Sequence, residues 1–401
     1  MRKITIIGAG QSGLQLGIGL LQKGYEVKLV TNKTAEEVAQ GRILSSQCMF
    51  DMALQNERDL HLNYFDEDCP WVEGIGFKIK DTPIAWQHRL DKPAQSVDQR
   101  VKMPVWMNAF VEQGGDLLIQ DVDVSDLDRL SKECDLLLVA SGKGDIGKMF
   151  ERDALRSSFD KPMRALGLTY VKGMKPREDF SAVDFNLIPG VGEYFSFPAL
   201  STSGPCDIMV FEGVPGGPMD CWQGVDSPDQ HLQVSKAIIA EFVPQDMDRI
   251  RDIELTDDNG ILAGRFPPTI RHPIGRLPSG GIAYGIADTV CLNDPITGQG
   301  SNNASKCAAI HLASILAQGE QAFDEQWMLK TFDKYWSYAQ WVVSWTNALL
   351  LPPTEKMVQV LAACGEDSVL AQRFVNGFDD PRDYYPWFME PNQVDVAGNW
   401  A

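Results

Sequence analysis

Histidine is scarce in this chain: there are five in 401 residues, at 61, 88, 231, 272 and 311, and they form no evident constellation. The eight cysteines (48, 69, 134, 206, 221, 291, 307 and 364) lie far apart, with no CxxC pair and no Cys/His ligand spacing. Neither a metal centre nor a disulfide framework is expected, and the thiols read as buried and free in a reducing compartment. Basic residues are outnumbered, 36 against 55 acidic ones, and the net charge of -19 repels phosphate backbones and anionic lipid. Nucleic acid and membrane surfaces are therefore not expected as partners. Long hydrophobic runs are missing too: "DLLLVAS" and "NALLLPP" fall far short of the roughly 20 residues that cross a bilayer. The first strand begins at Arg2 or Lys3, which leaves no room for a charged n-region and an apolar h-region, so no secretion signal is expected and a cytoplasmic location follows. Repeats and low-complexity tracts are absent.

What is present is an ordinary globular mixture, 44% apolar and 23% charged. The chain is too long for one core; at about 150 residues per domain it divides into two or three lobes, enough to bury a large cofactor. "KITII" (3–7) reads as a strand, "GAGQSG" (8–13) as a turn, "LQLGIGLLQKG" as a helix stopped by Gly24, and "YEVKLVT" as a second strand. "RVKMPVWMNAFVEQGG" carries Met103, Trp106, Met107 and Phe110 at helical spacing, and "DLLIQDV" and "DLLLVASGK" follow as buried strands of the same sheet. From about Leu166 to Leu262 the pattern changes to short β-rich runs between Gly and Pro turns, with one helix in "SPDQHLQVSKAIIAEFV", which implies a separate and mostly antiparallel sheet. "GGIAYGIADTV" returns to a buried strand and leads into "NDPITGQGSNNAS" (293–305). The following "ASKCAAIHLASILAQG" places Ala304, Cys307, Ala308, Ile315 and Leu316 on one helical face. The tail from about Glu320, rich in Trp and Phe, reads as packed helices.

The first glycine turn follows a strand and opens a helix, the context that makes GxGxxG informative. Gly8 permits the tight turn, Gly10 lets backbone approach a pyrophosphate, Gly13 brings helix against strand, and the phosphates meet unpaired N–H groups at the helix start, with Gln11 and Ser12. The acidic residue usual at the end of the second strand is replaced by Thr31 and Asn32. Neutral side chains bond a ribose hydroxyl less strongly than a carboxylate does, so the dinucleotide is expected to be held loosely. The fingerprint alone does not separate NAD from FAD. The second turn does: Asp288 follows a strand, as expected of a residue on a ribityl chain, and Pro295 and Gly298-Gln299-Gly300 precede a helix. The glycines let backbone lie against a flat ring, and the positive helix end favours the negative charge of a reduced flavin. FAD is the expected cofactor.

The expected fold class is α/β: a Rossmann-like FAD-binding domain of the aromatic-hydroxylase kind, a mostly antiparallel substrate domain and a helical C-terminal region. The expected boundaries are 1–72, 95–165 and 270–320 for the FAD domain, 73–94 and 166–269 for the substrate domain, and 321–401 for the helical region.

Over nearly its whole length the chain resembles the two-component flavin-dependent styrene/indole monooxygenases, in "IIGAGQSGLQLGIGL", "GRILSSQ", "SVDQR", "LLLVASGK", "NDPITGQGSNNAS" and "WTNALLLPP". The resemblance implies that Arg42 and Arg100 face the FAD, the bland alternative for each being a surface salt bridge. It implies Val122 and Ser141-Gly142 near the adenosine half, Asp288 on the ribityl and phosphate portion, and Pro295, Gly298, Gln299, Gly300, Ser301 and Asn302 at the ring. It also implies a separate NADH:flavin reductase as a transient partner that delivers reduced FAD. The absence of any Asp-Gly dipeptide agrees, because single-component hydroxylases carry an Asp-Gly motif associated with use of both FAD and NAD(P)H. The implied chemistry is reaction of reduced FAD with O2 to a C4a-hydroperoxide, which epoxidises an electron-rich double bond. That chemistry needs no protein nucleophile or acid/base dyad, and His311 reads as a satisfied core histidine. A homodimer is left open.

In "RILSSQCMF", read as strand-like, Ser45, Gln47 and Met49 alternate and share a face. The resemblance makes Ser-x-Gln-x-Met the indole-type pattern, where styrene-type members carry Asn, Val and His. It continues the pattern with Val72 and Ile75 and a small residue matched by Ala94. A polar pair beside a thioether suits a flat bicycle with one N–H donor. The expected substrate is therefore indole, epoxidised on the way to indoxyl and indigo, with styrene-like alkenes and aryl sulfides as further substrates. The bland reading of Ser45, Gln47 and Met49 is a half-buried strand. For Trp341, Trp345 and Asn347 it is core packing, and Trp86 is either an aromatic anchor or a loop residue. A styrene-preferring epoxidase is the near alternative. A flavin-dependent halogenase lacks support because no Trp-x-Trp-x-Ile-Pro motif occurs, and a non-catalytic FAD-fold carrier lacks it because the Gly298-Gln299-Gly300 turn is intact.

Overall fold

The computed structural model describes residues 2–141 and 144–390. Its first sheet has six strands, in the order Ile274–Arg276, Ile282–Gly285, Leu136–Val139, Lys3–Ile7, Glu26–Thr31 and Asp116–Ile119. All neighbours are parallel except the first pair. Every residue of Leu136–Val139 is buried, as a parallel strand covered on both faces requires. Helices Gln11–Gln22 and Gly300–Gln318 share one core with Trp106 and Phe110 on one side of this sheet.

The topology answers why two glycine turns nearly three hundred residues apart belong together. Tyr284 and Gly285 pair with Leu138 and Val139, whose other edge pairs with Ile6 and Ile7. Three adjacent parallel strands therefore end side by side, and from their carboxyl ends leave the Gly8 turn, Ser141 and the Asp288 segment. The crevice outside the carboxyl ends of such strands is where open α/β sheets bind ligands.

The second sheet has eight strands: Glu254–Leu255, Ala165–Lys172, Gly204–Gly213, Gly192–Ser201, Ala182–Ile188, Trp71–Ile79 and Ala85–Gln95 in order, with Ile261–Gly264 also on Ala165–Lys172. Only Trp71–Ile79 against Ala182–Ile188 is parallel. One face carries a ladder of stacked rings, Phe77 on Phe185 at 5.3 Å and Phe185 on Phe195 at 5.4 Å. The tail helices Glu325–Leu349, Glu355–Ala363 and Ser368–Asn376 bury this face with Trp345, Met357, Phe374 and Phe378. The other face packs Tyr194, Met209 and Phe211 under helix Pro228–Phe242.

Two local expectations are corrected. "RILSSQCMF" is not a strand: it touches a sheet only where Met49 bridges Gln95. The Asn302 side chain supplies the bonds a neighbouring strand would give, its Oδ1 accepting from Phe50 N–H and its Nδ2 donating to Cys48 O, each at 2.8 Å. Leu316 is 36% exposed, so the apolar face of its helix is narrower than the spacing implied. All eight cysteines are free, with only Cys221 exposed. Among the described residues no helix is long and apolar enough to cross a membrane.

Candidate flavin site

The fingerprint glycines divide by what surrounds them. Gly8 has φ +114°, and a Cβ there would lie 3.2 Å from Ala140 backbone atoms. A Cβ on Gly13 would lie 2.0 Å from the Gly8 carbonyl oxygen, so that residue lets the helix sit on the turn. A Cβ on Gly10 would meet nothing within 4 Å. The helix that begins at Gly10 has no side-chain cap, nor has the helix that begins at Gln299. Thr34, Asp98, Asp123, Ser227, Asp324, Thr354 and Asp367 cap theirs, and Phe50 opens the third helix without one. Around the crevice Ser141 is half-buried, Asn32 exposed and Thr31 half-buried at the end of its strand, while Val122 packs partly on the core beneath. Gly142 lies outside the described residues. Asp288 is exposed and follows Ala287, whose φ of 50° is left-handed and rare for a residue with a Cβ.

At the second turn, Gly298 has φ +64°, and a Cβ on Gly298 or Gly300 would meet nothing within 4 Å. Pro295 and Ser301 are half-buried. Gln299 is fully buried; its Nε2 donates to Phe378 O at 2.8 Å, and its Oε1 meets no donor. Asn302 gives its second Nδ2 bond to Gly298 O at 3.0 Å. Its side chain is thus committed to tying the 48–50 segment to the turn.

The two arginines part company. Arg42 is exposed and forms no ion pair with a described residue, so the salt-bridge alternative does not apply. Arg100 is buried, and all five of its N–H groups are committed: to Asp98 at 2.9 and 2.7 Å, to Asp257 at 2.8 and 3.0 Å, and to Gly41 O at 3.4 Å. Burial works against its charge, but the bonds to Asp257 and Asp98 win and hold its pKa above the ordinary value. With its donors so committed, Arg100 clamps Gly41, next to Arg42.

Of the expected substrate residues, Met49, Val72 and Ala94 meet along the edge strand Ala85–Gln95. Gln47 is buried and its Nε2 donates to Val97 O. Because a carbonyl can only accept, the amide nitrogen must face it, which leaves Oε1 buried and without a donor. Met49 exchanges backbone bonds of 2.8 and 2.9 Å with Gln95, and Ala94 pairs with Val72. A register shift between Val72 and Gly74 lets Val72 and Ile75, three residues apart, both enter one apolar cluster. Met49 lies outside that cluster, with Ala53 and Leu54, and its Sδ accepts from Lys102 Nζ at 3.2 Å. Ser45 is half-buried. Beyond Ile75 a narrow apolar cleft is lined by Phe77, Phe185, Ile296, Trp345, Phe374 and Phe378 among others. None of Ser45, Gln47, Met49, Val72, Ile75, Ala94 or Pro295 lines it.

Residues 142–249 match the family described as "Styrene monooxygenase A putative substrate binding domain". The whole chain aligns with the styrene monooxygenase StyA of Pseudomonas fluorescens, at 29% identity over 411 residues covering 100% of this chain and 97% of that one. Over its whole length the chain is similar to styrene monooxygenases. It is an FAD-dependent monooxygenase. Its fold is shared with the flavin-dependent brominase Bmp2 (TM-score 0.67, 16% identity, 92% of each chain) and with the 2-methyl-3-hydroxypyridine-5-carboxylic acid oxygenase (TM-score 0.59, 11% identity, 93% of each chain). At those identities the likeness speaks for the fold alone.

The residues present fit FAD. Open space stands over Gly10, Gly298 and Gly300, two helix N-termini lack caps, and Gln11 Oε1, Ser12 Oγ, Gln299 Oε1 and Asn303 Oδ1 are buried without partners. Sequence reasoning missed the ionic groups of this monooxygenase that hold the pieces together. Lys102 and Glu57 form an ion pair with each side chain 2% exposed. Burial raises the pKa of Glu57 and lowers that of Lys102. Gln11 Nε2 donates to Glu57 at 2.9 Å, so one buried pair joins the fingerprint helix to Met49. The signal was there: Lys102 stands four residues before Trp106 on an apolar helix face. His311 is a satisfied core histidine, bonded to Cys307 O at 2.7 Å and Tyr284 Oη at 3.0 Å. Trp86 is an anchor, donating to Leu361 O at 2.8 Å. Trp345 is both core and cleft wall.

Proposed function

We propose that this chain is the oxygenase component of a two-component system: it takes reduced FAD from a separate NADH:flavin reductase and epoxidises indole, which leads to indoxyl and indigo. Styrene-like alkenes and aryl sulfides are secondary substrates. The free cysteines suit a cytoplasmic setting. The observation that carries the indole reading is the Gln47 carbonyl oxygen, buried with no donor. An unmet buried acceptor costs about 1–3 kcal/mol, and the single N–H of indole would satisfy it, whereas styrene has nothing to offer.

Reduced FAD, when bound, would supply the two electrons that let O2 give one atom to the alkene and the other to water. The chain does the rest. Gly8, Gly10 and Gly13, with the uncapped helix start, hold the pyrophosphate, and Arg42, Asp288, Thr31 and Asn32 reach toward the remaining polar parts. Gly298 and Gly300, over which nothing lies within 4 Å of a would-be Cβ, would let backbone approach a flat ring. Gln47 orients the substrate through its N–H, Val72, Ile75 and Ala94 exclude water, and the phenylalanine-lined cleft beside Ile296 gives an apolar substrate a place to wait. Loose anchoring of the ribose suits a cofactor that arrives reduced and leaves oxidised.

With enzymatically generated reduced FAD in air, indole should give blue pigment. Efficient turnover of styrene with indole left untouched would sink the assignment. Gln47→Leu should lower kcat/KM for indole about tenfold, one hydrogen bond's worth, while leaving styrene within about twofold. Equal losses on both substrates would mean that Gln47 does not read the N–H.

A further inference from the structure

Three carboxyl groups and one guanidinium meet beneath the 293–298 turn, and all are buried: Arg164, Glu193, Glu212 and Asp294 are 6%, 2%, 0% and 1% exposed. Glu193 and Glu212 face each other on neighbouring strands. Arg164 gives Nε to Glu193 Oε2 at 2.6 Å and Nη2 to Oε1 at 2.9 Å, and bonds the carbonyls of Met163, Leu350 and Leu349. The arginine is thereby spent. Asp294 caps the single turn Pro295–Thr297, its Oδ1 accepting from Ile296 N–H at 3.2 Å. Glu212 remains: neither of its oxygens meets a hydrogen-bond donor from the chain, and the group set against it is the Asp294 carboxyl.

Two carboxylates cannot lie together in a dry interior with both charged, and the usual resolution is that one keeps its proton. Burial, then the charge and hydrogen bond of Asp294, push Glu212 well above the ordinary carboxyl range. Burial raises Asp294 too, but the bond from Glu212 acts the other way. The other charges facing the pair are Arg164 and Glu193; the strand on the far side of Glu212 offers Leu166.

We propose that Glu212 and Asp294 share one proton, and that this bond holds the 293–298 turn in its flavin-facing shape. Glu212 sits within a central strand and cannot yield, whereas Asp294 sits on a loop. Loss of the proton puts two negative charges in contact, and it is Asp294, with Pro295, Ile296 and Gly298 behind it, that moves. Glu212 is a positioning residue. Because its folded pKa is raised, the stability it contributes is present at low pH and is lost as pH rises through the folded value. The step from turn to flavin rests on the FAD placement proposed above; the shared proton does not.

The test reads both parts separately. Infrared spectra of the cofactor-free protein at neutral pH should show a free-acid carbonyl stretch that disappears in Glu212→Gln. The stretch should also disappear in Asp294→Asn, where the amide gives Glu212 a donor and lets it ionise while asparagine still caps the turn. FAD affinity, followed by fluorescence, should weaken in the wild type by roughly tenfold per pH unit beyond an alkaline transition, the slope of one proton. In Glu212→Gln, whose amide donates at every pH, it should stay level. No free-acid band in the wild type, or one that survives in Glu212→Gln, overturns the shared proton, and parallel pH curves overturn its hold on the turn. A protein that shows the band but binds FAD at no pH would instead overturn the FAD placement, and the coupling with it.

Discussion

Replacing Glu57 by alanine is expected to cost the fold about 3–5 kcal/mol, because the change strands a buried ammonium. Lys102 would keep only the Met49 sulfur at 3.2 Å and the Trp106 ring, whose centroid lies 4.7 Å away. Neither compensates for a carboxylate in a site that water does not reach. The loss should read as a lower denaturant midpoint, and its pH dependence has a definite sign. Burial already lowers the pKa of Lys102, and without Glu57 it falls further, so the folded variant sheds its proton while the unfolded chain keeps one. Stability of the variant should therefore recover as pH rises toward the ordinary lysine range near ~10.4. Glu57→Leu combined with Lys102→Met removes both charges and should cost far less than the single change. A midpoint for Glu57→Ala equal to wild type would show that the pair contributes nothing. FAD and substrate binding should suffer in the single variant as well, since Gln11 and Met49 both lean on this pair.

Gly13→Ala is expected to abolish FAD binding and destabilise the first sheet, whereas Gly10→Ala should weaken FAD binding without destabilising the sheet. The methyl carbon that Gly13→Ala adds would fall 2.0 Å from the Gly8 carbonyl oxygen and 3.5 Å from Ile6 Cγ2. The nearer obstacle is backbone, which cannot rotate aside, so the cost should reach or exceed the upper end of the about 1–3 kcal/mol typical of overpacking. At Gly10 the new methyl group meets nothing within 4 Å. That variant should unfold with the wild-type midpoint yet bind FAD at least about tenfold more weakly, because the methyl group occupies the space a pyrophosphate needs. If Gly10→Ala bound FAD like wild type, the pyrophosphate would not lie against that turn.

The FAD fold was legible because its signals are local. Strand, glycine turn and helix lie within the first two dozen residues, and the reason for Gly13, the Gly8 carbonyl oxygen 2.0 Å from a would-be Cβ, lies inside the six-residue pattern itself. The Gln47 acceptor was legible as a residue type, but not as an unmet bond. Which amide atom is free depends on Val97 O, fifty residues away in sequence. The ion pairs of Arg100 were not legible, because sequence does not show that Asp257, more than 150 residues away, takes two of its donors. "RILSSQCMF" was misread as a strand because its alternation is real, whereas its hydrogen-bond partner is the side chain of Asn302.

By itself the sequence determined the α/β class, the N-terminal glycine fingerprint, FAD as the cofactor and the likeness to styrene monooxygenases. These rest on short-range patterns of glycine, apolar period and capping. Only the tertiary structure decided how buried charges are shared: Lys102 with Glu57, Arg100 with Asp98 and Asp257, and Glu212 with Asp294. Whether a carboxylate inside a protein is paired, protonated or free depends on which groups a fold brings within a few ångströms after excluding water. Strand order and helix packing set that proximity, and separation along the chain does not reveal it.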